Sequence, residues 1–289
     1  MRSVWQTSRF AIDLRVPQVM GIVNLTPDSF SDGGENVRPE VALRHCERLI
    51  GQGAHILDIG GESTRPGSPP VPLELELQRL LPVVHEAVKF GVPVSIDTYK
   101  PEVMRVVLDL GIDIVNDVWA LRQPGAREAV AAHPSCGVCL MHMHREPRTM
   151  QTAPMTGDVV AQVTSFLTQC AEELRAFGVD AARIVLDPGI GFGKTASQNF
   201  ALLARQAELL AAGYPVLAGW SRKSTLGTVS GIGTASQRVL PSVAAALLAV
   251  ERGARIVRVH DVAQTVGALA VWQAMHAEET QQQWSELPP

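Results

Sequence analysis

The sequence predicts an α/β fold: a single (β/α)8 barrel of the TIM-barrel type, with its site at the C-terminal ends of the strands. Three observations carry that prediction. Eight short runs rich in Val, Ile and Leu recur along the 289 residues without polar alternation, as parallel strands covered on both faces require. Each is followed by an amphipathic stretch, and about 260 residues hold all eight units, the length such a barrel needs. Gly91, Gly111, Gly178, Gly213 and Gly253 each follow a helical stretch, where a left-handed C-cap is expected, and Pro39, Pro101 and Pro241 suit helix first turns.

In chain order the strand runs are VMGIVN around Met20, HILDIG from His55, PVSIDT from Pro93, DIVNDV from Asp113, GVCLMH from Gly137, RIVLDP from Arg183, PVLAGWS from Pro215 and RIVRVH from Arg255. Helices are predicted over 39–51, 73–90, 101–110, 124–132, 158–177, 199–212, 241–252 and 262–277. No linker-like stretch divides the chain. Residues 1–289 read as one domain, with 1–17 an N-terminal extension and 278–289 a polar, frayed tail.

Composition narrows the function. Hydrophobic residues make up 46% and charged residues 19%, ordinary for a protein with a large core. A net charge of -4 gives no electrostatic case for nucleic acid. No run of about 18 apolar residues suggests a membrane span, and MRSVWQTSRF lacks the apolar centre of a signal peptide. A cytoplasmic protein is expected. Cys136 and Cys139 form a CxxC, but in a strand pattern rather than at a helix start, so all four cysteines read as buried thiols. GIGFGKT fails the phosphate-loop pattern, because Pro188 stands where the first glycine belongs. GFGKTA fits the dinucleotide fingerprint only weakly. Of His142 and His144, one is expected to be hydrogen-bonded and the other solvated, with no third metal ligand in view.

The strand ends carry the chemistry. They present Asn24; Glu62, Ser63, Thr64 and Arg65; Asp97; Asn116 and Asp117; His142; Asp187; Ser221, Arg222 and Lys223; and Arg258 with His260. Asp117, Arg222 and Asp261 are expected to be caps or ion pairs. The remainder forms a convergent ring. Asp97, Asn116 and Asp187 suit a flat heterocycle with a guanidine-like edge, since a carboxylate pairs with two adjacent N–H donors. Arg65, Lys223, Arg258 and His260 suit phosphate. Asn24 could offer a carbonyl oxygen to Mg²⁺, which keeps most of its waters. The loop after Asn24, with Phe30 at its centre, reads as a closing lid.

Together, GIVNLTPDSFSDGG, LDIGGESTRPGS, SIDT, NDV, LMHM, LDPGIGFGK, GWSRKS and RVHDV resemble the dihydropteroate synthases, in the family's order, from about Val19 to Trp272. The resemblance implies a homodimeric barrel. Its reaction joins 6-hydroxymethyl-7,8-dihydropterin diphosphate to 4-aminobenzoate and releases diphosphate. By matching motif, Asp97, Asn116, Asp187 and Lys223 would hold the pterin, with Thr64 in contact. Arg258 would stack on the ring and, with His260 and Asn24, meet the diphosphate; Asn24 would also bind Mg²⁺. Arg65 would close the site. Phe30, Pro66, Phe192, Lys223 and Ser224 would line the aminobenzoate slot. Asp97, Lys223 and Arg65 are the implied catalytic residues. The aminobenzoate loops carry no insertion, so sulfonamide inhibition is expected. A methyltetrahydrofolate-binding barrel and a non-catalytic pterin-binding paralogue are the alternatives. The first has no need of a diphosphate site, and the second should have lost strand-end groups, yet none is missing. One departure concerns the loop after the fifth run. Relatives often carry Gln-Gly after LMHM, and here His144-Arg145 puts arginine where glycine would supply a special φ.

Overall fold

The computed structural model describes residues 2–26, 38–64, 67–145, 150 and 153–285, with side chains to 278. An antiparallel hairpin, β1 (Val4–Gln6) and β2 (Ala11–Asp13), precedes the barrel strands. These are β3 (Gln18–Asn24), β4 (Ile56–Gly60), β5 (Val94–Asp97), β6 (Ile114–Asp117), β7 (Gly137–Met141), β8 (Ile184–Asp187), β9 (Leu217–Ala218) and β10 (Ile256–Val259). All pair in parallel in the order β8-β7-β6-β5-β4-β3-β10-β9, and a parallel bridge between Leu186 and Val216 joins the two ends of that series. The eight predicted runs are the eight barrel strands.

Strand parity divides the interior into layers, because alternate side chains face the barrel axis. Met20, Ile56, Ile114, Cys139, Val185, Leu217 and Ile256 form an apolar inner layer. Two residues further along, the same strands present Ile22, Asp58, Asn116, Met141, Asp187, Gly219 and Arg258. Outward residues such as Val19, Val23, Leu57 and Val257 join the larger core under the helices. Cys136 lies in that outer core and Cys139 in the inner layer; both are buried and free.

The hairpin packs against the N-terminal end of the barrel. Trp5, Ile12 and Leu14 belong to the inner-layer cluster, and Trp5 Nε1 donates to the Arg183 carbonyl at 2.9 Å. A Cβ on Gly137 would stand 3.0 Å from Thr7 and 3.1 Å from the Trp5 indole nitrogen, so glycine is what lets the hairpin approach. Arg9 pairs with Asp113 at 2.5 Å at the same end.

The helices depart from the sequence reading in a few places. The helix read over 199–212 is two, Ala196–Ala204 and Gln206–Leu210, divided at Arg205. It starts early because Thr195 and Gln198 form a reciprocal capping box. The helix Val239–Glu251 holds Pro241 in its first turn, where the missing N–H costs no bond. The helix Leu73–Ala87 stops before 90. The last helix runs Val262–Ser285, past 277, through residues such as Ala, Glu and Gln that favour helix. A short helix, Ser224–Ser230, was not anticipated.

Candidate active site

The C-terminal ends of the strands surround a cavity of about 630 Å³. Asn24, Thr64, Asp97, Asn116, Asp187, Phe192, Lys223, Ser224, Arg258 and His260 all line it, so the structure brings together every predicted site residue that it describes. Phe30, Arg65 and Pro66 lie outside the described residues, as does the lid expected around Phe30.

The floor is a charged network. Arg258 Nη2 donates to Asp97 Oδ2 at 2.7 Å, and Arg258 Nε donates to Asp58 Oδ2 at 2.6 Å. Asn116 Nδ2 donates to the same Asp58 oxygen at 3.2 Å. Asp58 is fully buried, and burial of its unit charge is offset by these donors. The sequence reading missed Asp58. Its signal was available: a carboxylate inside the apolar run ILDIG, two residues below the strand end and therefore of inward parity. Asp97 Oδ1, by contrast, is buried without a hydrogen-bond partner. Burial raises the Asp97 carboxyl to about 7, against the pull of Arg258, with Asp58 adding repulsion.

Asp187 and Lys223 form the opposite wall. Asp187 Oδ1 accepts from the Gly189 amide at 2.7 Å, and burial pushes its carboxyl upward while Lys223 opposes the shift. Lys223 Nζ donates to the Ile190 carbonyl and stands 4.8 Å from the centre of the Phe192 ring. Burial lowers its amine to about 8, with Asp187 resisting. Ser221 Oγ accepts from the His260 amide at 3.1 Å and meets His260 Nδ1 at 2.9 Å. Glu62 takes Tyr99 Oη at 2.9 Å and Lys100 Nζ, anchoring the start of the second loop.

Several strand-end groups are structural, as expected. Asp117 accepts from the Trp119 and Leu121 amides at 2.7 Å each. Arg222 pairs with Asp261 at 2.6 Å. His142 is buried and bonded to Lys194, and burial holds its ring at about 2, while His144 is partly exposed. Arg145 adopts φ +61°, the left-handed value that a glycine would have taken without strain. Among the described residues no cluster of three or more His, Cys, Asp or Glu could hold a metal ion. Asn24 lines the cavity and has a side-chain amide oxygen, a hard donor of the kind a cation that keeps most of its waters could use.

Residues 20–260 match the family described as pterin binding enzyme. The chain is 51% identical over 279 residues to the dihydropteroate synthase of Neisseria meningitidis serogroup B, covering 95% of this chain and 98% of that relative. The structure of the Xanthomonas albilineans dihydropteroate synthase with 4-aminobenzoic acid superposes with a TM-score of 0.89 at 49% identity, covering 95% of this chain and 99% of the other. That of the Burkholderia cenocepacia enzyme complexed with 7,8-dihydropteroate gives 0.88 at 51% identity, over 96% and 98%.

Proposed function

Because the chain belongs to the dihydropteroate synthases among the pterin binding enzymes, we propose that the strand-end ring is where it performs that reaction, and we assign each side chain a part. The enzyme condenses 6-hydroxymethyl-7,8-dihydropterin diphosphate with 4-aminobenzoate to give 7,8-dihydropteroate and diphosphate. The observation that carries the site assignment is the partnerless, buried Oδ1 of Asp97, beside Asn116 on the neighbouring strand and in a cavity that Asp187 also lines. A buried acceptor without a donor costs about 1–3 kcal/mol, and the adjacent N–H donors of a pterin edge would satisfy it.

In this reading Asp97, Asn116 and Asp187 bind the pterin edge, and Lys223 and Thr64 contact the ring. Arg258 lies against the ring, and with His260 and Asn24 it faces the diphosphate. Phe192 and Ser224 line the aminobenzoate slot. Phe30 and Pro66 in that slot, and Arg65 at the closing loop, rest on the motifs alone. Mg²⁺, held through the Asn24 oxygen and the diphosphate itself, would supply charge neutralisation to the leaving group. The rest of the work belongs to the chain. The reacting carbon is attached to an electron-rich ring, so bond cleavage ahead of amine attack, SN1-like, is the favoured order. Asp97 steadies positive charge shared by the ring, Lys223 and Arg258 stabilise the departing diphosphate, and the closed site keeps water from the cation. The arylamine is neutral near pH 7 and needs no strong base. Sulfonamides, as arylamine mimics, should compete for the slot.

We also propose a cytoplasmic homodimer. Among the described residues, no helix is long and apolar enough to cross a membrane. The neighbouring helices Val239–Glu251 and Val262–Ser285 leave Leu240, Leu248, Val271 and Met275 exposed, which favours a partner there.

The test is to incubate the protein with Mg²⁺ and the pterin diphosphate, with and without 4-aminobenzoate, and to follow dihydropteroate and free diphosphate. Stoichiometric product with the amine is expected, and slow diphosphate release without it. Strict dependence of release on the amine would sink the dissociative order but not the activity.

A further inference from the structure

Lys194 is 3% exposed, does not line the cavity, and is bonded by no carboxylate among the described residues. Its Nζ meets His142 Nδ1 at 2.9 Å, the Gly189 carbonyl at 2.9 Å and the Phe192 carbonyl at 3.1 Å. With the His142 carbonyl at 3.4 Å as a fourth, these acceptors serve the three N–H groups of an ammonium, and a His142 that accepts at Nδ1 carries its proton on Nε2. Burial pulls the Lys194 amine well below its usual range, with the Asp187 charge opposing the shift. A buried lysine needs a reason, and the general reading of the reaction gives Lys194 none.

The loop around it supplies one. It leaves β8 at Asp187 and turns back against the end of β7. Gly189 has φ +66°, and a Cβ there would lie 1.8 Å from the His142 carbonyl, so no other residue fits. A Cβ on Gly193 would lie 2.6 Å from that of His144. The loop is thus pressed onto the segment after β7 at both ends, and Lys194 bonds across the contact. Between those ends stand Phe192, which lines the cavity, and the Ile190 carbonyl, which accepts from Lys223, itself a cavity residue.

We propose that Lys194 is a positioning residue for the arylamine: by tying His142 to the turn Gly189–Phe192, it sets the Phe192 ring and the Lys223 ammonium in place before substrate arrives. This rests on the reading of Phe192 as a wall of the aminobenzoate slot. Lys223 keeps a second partner in Asp187, so loosening the turn disturbs the arylamine more than the pterin.

Lys194→Met keeps the length of the side chain and removes its donors; Lys194→Gln is a second, polar variant should the first fold poorly. Steady-state kinetics with each substrate varied provide the readout, with Phe192→Ala measured alongside. Both Lys194 variants should raise KM for 4-aminobenzoate about tenfold and leave KM for the pterin diphosphate within about twofold, as expected for a group acting on one substrate's uniform binding. A lysine that merely supports the fold would lower the melting temperature and leave the ratio of the two KM values alone, and that result would overturn the proposal. If Phe192→Ala raises KM for the amine and the Lys194 variants do not, the slot stands and the clamp falls. If none of the three does so, the slot assignment falls and the clamp with it.

Discussion

The two ends of the barrel are built from the same strands and opposite chemistry. At the N-terminal end, seven inward side chains are apolar and a hairpin seals them with Trp5, Ile12 and Leu14. Two residues further along, the same strands present carboxylates, an amide and a guanidinium around a cavity. Apolar packing is concentrated at one end and buried charge at the other, where Asp97 Oδ1 lacks a hydrogen-bond partner. Two consecutive inward layers thus separate the burden of folding from the burden of reacting, the division of labour expected of this architecture.

The largest break in that contrast should come from Trp5→Ala. The indole is wholly buried, its Nε1 bonds a carbonyl on β8's approach, and it does not line the cavity. Removing it should cost about 3–5 kcal/mol of stability, a large share of a typical total of about 5–15 kcal/mol. Denaturant unfolding measures this, and the enzyme that remains folded should keep both KM values. A change in either KM beyond about twofold would mean that the two ends are coupled.

Asp97→Asn probes the other end and should do the reverse. The variant leaves Arg258 paired with Asp58 and removes a desolvated charge, so stability should hold or rise slightly. Turnover over KM for the pterin diphosphate should fall about 100-fold or more, on the order of 3 kcal/mol. The pH profile sharpens the test. The Asp97 carboxyl is raised to about 7 in the free protein, so below that pH it is largely protonated and cannot take two N–H donors. Lys223, lowered to about 8, loses its charge above that pH. The wild-type kcat/KM should therefore climb with pH toward 7 and decline beyond 8. In Asp97→Asn the climbing limb should vanish while the decline remains. Full turnover with unchanged pterin affinity in this variant would refute the role given to Asp97.

The same contrast explains what was legible in the sequence. The strands were legible because each is a short apolar run ending in a polar residue, and both properties follow from burial below and solvent above. The ring at the mouth followed from the last residue of each run. Asp58 did not, because reading only the terminal residue ignores the inward position two places earlier, where charge is still tolerated. Lys194 was invisible for a different reason: its partners are backbone carbonyls and a histidine more than fifty residues away, and backbone acceptors leave no mark in composition. The hairpin escaped notice because its strands are three residues each, too short for alternation to register. The split of the helix read over 199–212 at Arg205 likewise had no Gly or Pro to announce it.

The smallest expected effect comes from the most direct comparison, since each end holds a guanidinium on a fully buried aspartate. Arg258 bonds Asp58 at the mouth; Arg9 bonds Asp113 beneath the barrel, through Nε at 3.0 Å and Nη2 at 2.5 Å. Asp113 is not left bare without Arg9, because the Val94 amide donates to it at 2.9 Å and the amide of residue 9 at 3.1 Å. Arg9 is one-third exposed, so water can enter in its place. Arg9→Ala should thus cost only about 1–2 kcal/mol, read by denaturant midpoint, with kinetics unchanged. Arg258→Ala exposes the difference in purpose, because it frees Asp97 as well as Asp58 and removes the cation from the diphosphate side. It should lose turnover by far more than it loses stability. Equal kinetic damage from Arg9→Ala would show that the lower ion pair also tunes the site, and the separation of the two ends would then fail at its simplest point.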